Sequence, residues 1–413
     1  MSEHTPIIAF SKDWHEDHTS NHHVLRELAK TRRVLWLNSL GTRKPSLSSA
    51  RDVGKIKRKL VEFAKGAINV ENDLWVATPL VLPLPHSRVA TKINQQIIRA
   101  TIRVLRYQLG IKDFQLWTFL PNTVDYVGTL GEKLAVYYCV DEWSTFTALD
   151  AQATIAAEKR LLAKVDVTFC TSQALVDSKS QHSKLTQFAP HGVNFASFAR
   201  ALQDDLAIPA DLAAIPGPRL GFFGTLRDLI DYKLIQGMAR ARPDVHIALI
   251  GQKHVDLTAL EALPNVHFLG QKKHDELAAY CKGFDVGWIP YRIDDNVKFI
   301  NPLKLREYLS AGVPVISTSM PEVLPFKHLA HIADTPQETS AAFDKALDEG
   351  SLDARKQRCE SMRNETWPAR VARIGETVDA IERSKASPPI VPSTQTSPSP
   401  LDEPGSFVRE ARR

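Results

Sequence analysis

Short apolar runs recur along this chain, each ending in a polar turn and leading into a stretch with helical spacing. In the first half they cover residues 7–10, 34–38, 74–78, 115–119, 135–140, 167–170 and 185–188, and in the second half 219–223, 245–250, 265–269, 285–290 and 313–317. A strand that is apolar at almost every position must be covered on both faces, and the intervening segments are long enough for helices that do so. The pattern predicts an α/β fold on parallel sheets with right-handed crossovers. A polar, proline-marked segment at 204–218 divides the strands into two blocks, and 413 residues of which 43% are hydrophobic suffice for two cores. We expect a Rossmann-like domain over 1–211 and a second over 219–364. Residues 369–384 read as a helix with Val371, Ile374, Val378 and Ile381 three and four apart, and the proline- and serine-rich stretch 385–413 is expected to be disordered.

The carboxyl ends of parallel strands open on the cleft of such domains, so polar residues there are the first candidates for chemistry. The turn after the first strand, SKDWHEDHTSNHH, has no GxGxxG fingerprint, which argues against a dehydrogenase. Its His15, Asp17, His18, His22 and His23 match no metal-ligand spacing, and no metal is expected. Ser20 or Asn21 is expected to cap the helix that follows, with Asp17 and His22 as candidate catalytic groups in a cleft loop. Asp141 and Glu142 end the run 135–140, where an active-site carboxylate is expected; the competing reading is a helix-start pair favoured by the helix dipole. Residues 123–130 are expected to be helical, as are 94–108.

Composition narrows the setting. Cys139, Cys170, Cys281 and Cys359 form no CxxC pattern and suit reduced thiols in the cytoplasm. No run of 18 apolar residues and no signal sequence is recognisable, so a membrane span is not expected. The net charge of +5 is modest, yet Arg43, Lys44, Arg51, Lys55, Lys57, Arg58, Lys59 and Lys65 crowd one stretch with Ile56, Leu60, Val61 and Phe63 among them. That spacing suits a basic amphipathic helix, either on an anionic membrane surface or solvated over a Rossmann core; nucleic acid has no recognition motif here.

Residues 301–317, NPLKLREYLSAGVPVIS, combine a loop, a short helix, a glycine and a strand. Asn301 is expected as N-cap, Pro302 at the first helical position, and Gly312 at the helix end. The free N–H groups of the helix start, with Lys304 in the first turn and Glu307 a turn later, suit a nucleotide diphosphate and its ribose. The alternative is a surface helix whose lysine and glutamate are merely solvated.

The longer stretch NPLKLREYLSAGVPVIST resembles the donor-site segment of bacterial glycosyltransferases of the GT-B architecture, specifically the superfamily of retaining nucleotide-sugar-dependent enzymes. In that resemblance Glu307 matches the glutamate that holds the donor ribose, while Phe299 occupies the place of a first glutamate, leaving Asn301 and Lys304 as partial substitutes. PHGVN at 190–194 resembles the family's interdomain turn, which sets His191 at the cleft, facing the donor or held in a structural hydrogen bond. FFGTLRD resembles the family's glycine turn, implying donor contacts from Gly224 and from Arg227, with Lys233 as the displaced alternative. KVDVTFCTSQALVD resembles its strand, serine, helix step, and a C-terminal helix that crosses back to the first domain is common in this architecture.

The resemblance implies two Rossmann-like domains facing a central cleft. It also implies metal-independent, retaining transfer from a nucleotide-sugar, used as substrate rather than cofactor, to a saccharide or lipid-linked acceptor. Surface polysaccharide synthesis in the cytoplasm, or peripherally on the inner face of the membrane, would be its setting. A nucleotide-sugar epimerase on the same fold and a catalytically silent sugar-nucleotide-binding scaffold are the alternatives.

Overall fold

In the computed structural model, which describes residues 4–16, 19–40, 50–84, 87–146 and 149–386, the apolar runs pair into two sheets. The first contains β1 (Ile7–Phe10), β2 (Val34–Leu37), β3 (Ile68–Glu71), β4 (Leu74–Ala77), β5 (Gln115–Thr118), β6 (Leu134–Cys139), β7 (Val167–Cys170) and β8 (Thr186–Phe188), in the order β3-β4-β2-β1-β5-β6-β7-β8. Only the β3–β4 pair is antiparallel. The second sheet contains β9 (Arg219–Phe223), β10 (His246–Ile250), β11 (Val266–Gly270), β12 (Val286–Ile289), β13 (Val315–Ser317) and β14 (Ala330–Ile332). Its order is β11-β10-β9-β12-β13-β14, parallel throughout. In each sheet the strand order reverses beside its first strand, between β1 and β5 and between β9 and β12. Ligands of open α/β sheets bind outside the carboxyl ends of strands at such reversals.

Alternation of side chains across a strand explains the core. Ile8, Phe10, Leu35 and Leu37 face one cluster of the first sheet, while Ile7, Ala9, Val34 and Trp36 face the other. Strand β3 is an edge strand with half its residues exposed, so it lacks the apolar run that marks its neighbours. The stretch expected to be helical at 123–130 instead forms a short 3-10 turn, Pro121–Thr123, and then turns, with Gly128 and Gly131 at positive φ. Glycine in that conformation interrupts a helix. The next helix upstream runs over Arg88–Gln108, six residues longer than the expected 94–108, because Ser87 caps it by accepting the Ala90 N–H at 3.2 Å.

A helix over Trp367–Ala386 lies on the first sheet, although it follows the second in sequence. Trp367, Val371, Ile374 and Val378 join the cluster of Val24, Leu25 and Leu28 from the helix Ser20–Leu28. Full burial of such side chains is worth about 1.5–3 kcal/mol each. Polar contacts fix the register: Arg32 grips Asp379 through two bonds of 3.1 Å, and Glu382 accepts from Thr5 and Gln115 at 2.7 and 2.6 Å. The 190–194 turn is clamped to the start of this helix, with the Val193 N–H donating to the Glu365 carbonyl at 2.9 Å and the Trp367 N–H to the Val193 carbonyl at 3.3 Å. Gly192 is needed for close approach rather than for a left-handed backbone: a Cβ there would fall 2.4 Å from the Trp367 nitrogen.

The two halves of the chain also touch at a second place. Glu322 accepts the backbone N–H of Gln173, first residue of the helix Gln173–Ser180, at 2.7 Å. Phe299 and Leu303 pack against first-sheet clusters.

Candidate functional site

The second-domain half is built at the β9/β12 reversal. Gly224, directly after β9, has φ +140°, and a Cβ on it would fall 2.5 Å from Lys304 Cε and 2.7 Å from its Nζ. Only glycine lets the Lys304 side chain lie across this turn. The Lys304 ammonium donates to the Tyr291 hydroxyl at 3.1 Å, and Tyr291 follows β12. Arg227 is exposed on the same turn as Gly224, and Lys233 is exposed on the helix Tyr232–Ala241.

The helix carrying Lys304 runs over Leu303–Ser310, with Pro302 extended before it and no side chain capping it. The expected arrangement, Asn301 as cap and Pro302 as first helical residue, is therefore corrected. Asn301 is buried, donating to Glu322 at 2.8 Å and accepting from Arg306 at 2.9 Å. Two buried charged groups need those bonds more than an open helix start needs a cap. The uncapped start, with Lys304 in its first turn, keeps the geometry that favours an anion. Glu307, one turn on, is buried, and one carboxylate oxygen lies 3.1 Å from His274 Nε2. The hydrogen bond to Glu307 raises the His274 pKa above its ordinary value.

In the first domain, Asp141 and Glu142 after β6 divide in role. Glu142 caps the 3-10 turn Trp143–Thr145 and pairs with Lys179 at 2.6 Å, which also holds Glu158 at 2.7 Å. The helix-start reading thus fits Glu142. Asp141, partly exposed, has no side-chain hydrogen bond among the described residues. Burial raises its pKa, and the nearby Arg227 and Lys12 charges oppose that rise.

His22 and His191 are structural in this geometry, and His18 lies outside the described residues. Thr19, not Ser20 or Asn21, is the extended residue before the helix Ser20–Leu28, and its N–H donates to His22 Nδ1 at 3.2 Å. His22 Nε2 lies 3.0 Å from the Trp14 carbonyl, and the ring is fully buried between Trp14 and Trp36. Both nitrogens are engaged, so His22 is corrected from catalytic candidate to the group that fixes this helix start. His191 is buried with Nδ1 3.1 Å from the Ser20 hydroxyl, and burial, with Arg306 and His23, lowers its pKa to about 3. It is a neutral hydrogen-bonding partner. Asp17 lies outside the described residues.

Comparison with known proteins agrees with this architecture. Residues 217–349 match the model of the family Glycosyl transferases group 1. The putative teichuronic acid biosynthesis glycosyltransferase TuaH of Bacillus subtilis is 27% identical over 276 residues, 61% of this chain and 68% of TuaH. Among solved structures, sucrose-phosphate synthase from Thermosynechococcus elongatus superposes with TM-score 0.62 at 16% identity, covering 92% of this chain and 100% of that one. Anabaena HepE in complex with UDP and glucose gives 0.63 at 12% identity, covering 91% and 100%. This chain has the GT-B fold, in the likeness of nucleotide-sugar-dependent transferases.

The GT-B cleft brings Asp141 of one domain within electrostatic reach of Arg227 of the other, with Gly224, Lys304 and Glu307 grouped on the Arg227 side. His22 and His191 are turned into the packing. Sequence reasoning missed Lys12, Tyr291 and His274 as members of this cleft. Lys12 and Tyr291 stand two residues beyond β1 and β12, and nearness to a strand's carboxyl end was the available signal; nothing local marks His274 as the partner of Glu307. Among the described residues no group of three or more His, Cys, Asp or Glu is placed to hold a metal ion, and no helix is long and apolar enough to cross a membrane.

Proposed function

We propose that this protein is a metal-independent, retaining glycosyltransferase that moves a sugar from a nucleotide-sugar donor to a saccharide or lipid-linked acceptor in surface polysaccharide synthesis. The observation that carries this reading is the Gly224 turn across which the Lys304 side chain lies, with Asp141 close enough to feel the Arg227 charge. Solved proteins of this fold bound to UDP and glucose, and to UDP-2-fluoro glucose, support a nucleoside diphosphate sugar as donor. The match to TuaH supports a polysaccharide role.

In this mechanism Arg227, Lys304 and the uncapped helix start receive the charge that develops on the departing diphosphate, while Glu307 accepts hydrogen bonds from the ribose. The bond between the anomeric carbon and the diphosphate oxygen breaks. A bond from the acceptor oxygen forms on the same face, and the acceptor's proton passes to Asp141. Protein cations, not a metal, balance the leaving group's charge.

A membrane-tethered acceptor is supported by exposed apolar side chains of the first domain. On the helix Ala50–Ala64, Leu60 and Val61 are each 51% exposed and Phe63 41%, beside exposed Lys57 and Arg58. The adjoining loop and the helix Arg88–Gln108 add exposed Leu82, Leu84, Val89 and Ile93. Cations over exposed apolar groups suit an anionic lipid surface. Arg43 and Lys44 lie outside the described residues, and the protein is placed by this reading at the cytoplasmic face of the membrane.

Calorimetry with a nucleotide panel, followed by product analysis with a donor and acceptor panel, tests the reading. Micromolar to millimolar binding of one nucleoside diphosphate and an acceptor-dependent glycoside are expected. Unchanged binding in Lys304→Ala rejects the pocket; sugar interconversion without acceptor points to an epimerase, and binding without any turnover to a scaffold.

A further inference from the structure

A pocket of about 350 Å³ opens where four parts of the chain converge: the end of β8 with the turn after it, the far side of the Leu303–Ser310 helix, the turn at 322–326, and the start of the Trp367–Ala386 helix with Glu365 before it. Its walls include Arg306, Arg370, Arg373, Glu365, Phe188 and Phe326. Three guanidinium groups at one small opening demand counter-charge, and the protein supplies little. Glu365 is shared, taking Arg306 at 3.1 Å and Arg370 as well. The pocket's second carboxylate, Glu322, gives both oxygens to neutral donors, the Gln173 N–H and the Asn301 amide. Arg370 Nε is buried without a hydrogen-bond partner. Arg373, one turn further on the same helix face, is exposed and makes no ion pair among the described residues.

Buried donors without acceptors are rare in folded proteins, and guanidinium clusters match the oxygens of phosphate groups. The volume fits a small metabolite, and the Phe188 and Phe326 rings offer an apolar wall. We propose that this pocket is a second ligand site, separate from the donor cleft, for a small phosphomonoester whose terminal oxygens are held by Arg370 and Arg373.

The site is placed to act on the rest of the molecule. Arg306 precedes Glu307 on the helix that carries Lys304, and it holds Asn301. The pocket's walls come from both halves of the chain and from the C-terminal helix that packs on the first, so a ligand bound there favours the interdomain arrangement in which the walls meet. A phosphorylated metabolite would thereby tune a cleft it does not enter.

The experiment is titration of the full chain with inorganic phosphate and with ribose 5-phosphate, at constant ionic strength set by chloride, in the presence and absence of saturating UDP. Saturable binding of ribose 5-phosphate that survives UDP is expected, tighter than that of inorganic phosphate. Arg373→Gln should weaken it by about tenfold, the loss expected for one charge-assisted contact, while UDP affinity stays within about twofold. Arg370→Gln should weaken it further if the variant folds, and the exposed position of Arg373 keeps the test decisive if it does not. No saturable binding up to about 10 mM, equal binding by parent and Arg373→Gln, or displacement by UDP would overturn the proposal.

Discussion

Asp141 illustrates how little separates a catalytic carboxylate from a structural one. Its neighbour Glu142 is spent on a turn and a buried lysine, whereas Asp141 answers only to the charges of Arg227 and of Lys12. If it takes the acceptor's proton, Asp141→Asn lowers turnover by about 10²-fold or more with nucleotide affinity unchanged; single-turnover transfer and calorimetry measure the two separately, and a rate within a few-fold of the parent rejects the role. Its raised pKa adds a second reading of the same variant. The folded state holds the Asp141 proton more tightly than the unfolded state does, so stability falls as pH rises from the ordinary carboxylate pKa through the raised one. Asparagine has no such cost. The variant should therefore melt at or above the parent's temperature near neutral pH and converge with it at about pH 3, while the parent's activity has an acid limb above the usual carboxylate range. Gly224 is the complementary case on the donor side. Gly224→Ala places a methyl group where Lys304 lies and forces an alanine into a backbone region essentially reserved for glycine, at about 1–3 kcal/mol. A loss of nucleotide affinity of roughly tenfold is expected by calorimetry, and unchanged affinity would mean that Lys304 is not where the nucleotide binds.

At the scale of elements, the helix that carries Lys304 and Glu307 has two working faces. One carries Lys304 and Glu307, the proposed donor contacts, and the other sends Arg306 to Asn301 and Glu365. Phe299, in the place of the glutamate that the family resemblance led us to expect, belongs to the short turn Val297–Phe299 that packs against the first domain. Exchange of a carboxylate for an aromatic ring converts a polar position into an interdomain apolar contact. The helix Trp367–Ala386 does the same work on a larger scale. Ile374→Ala should destabilise the chain by about 2–5 kcal/mol in urea denaturation, with loss of the first domain's signal, because the cavity lies against the Ser20–Leu28 helix and not against the second sheet. A loss confined to the second domain would contradict that packing.

For the whole molecule, the exposed Leu60, Phe63, Val89 and Ile93, with exposed lysines and arginines near Leu60, are what the proposed membrane reading depends on. Each basic residue near an anionic bilayer contributes about 1 kcal/mol, so several suffice for weak peripheral binding. Co-sedimentation with anionic vesicles at low salt should exceed that with neutral vesicles and fall as salt rises. Equal recovery with both would remove the membrane from the proposal.

What the sequence by itself determined was the class of fold and which strand ends carry the candidate site. Runs such as 7–10, 135–140 and 220–223 have no charged position to expose, so they had to be interior parallel strands, and the carboxyl ends of the last two marked Asp141 and Gly224 as candidate cleft residues. Lys304 and Glu307 were legible because a one-turn spacing on a helix fixes their relation locally. Contacts between distant segments were not legible. Asn301 looked like a helix cap until Arg306 and Glu322 claimed its amide, and His22 looked free until Trp14, Trp36 and the Thr19 N–H enclosed it. Local propensity is worth about 1 kcal/mol at a cap, and a buried charge or ring nitrogen left without a partner costs more than that, so tertiary partners decided these side chains where spacing alone had none to offer.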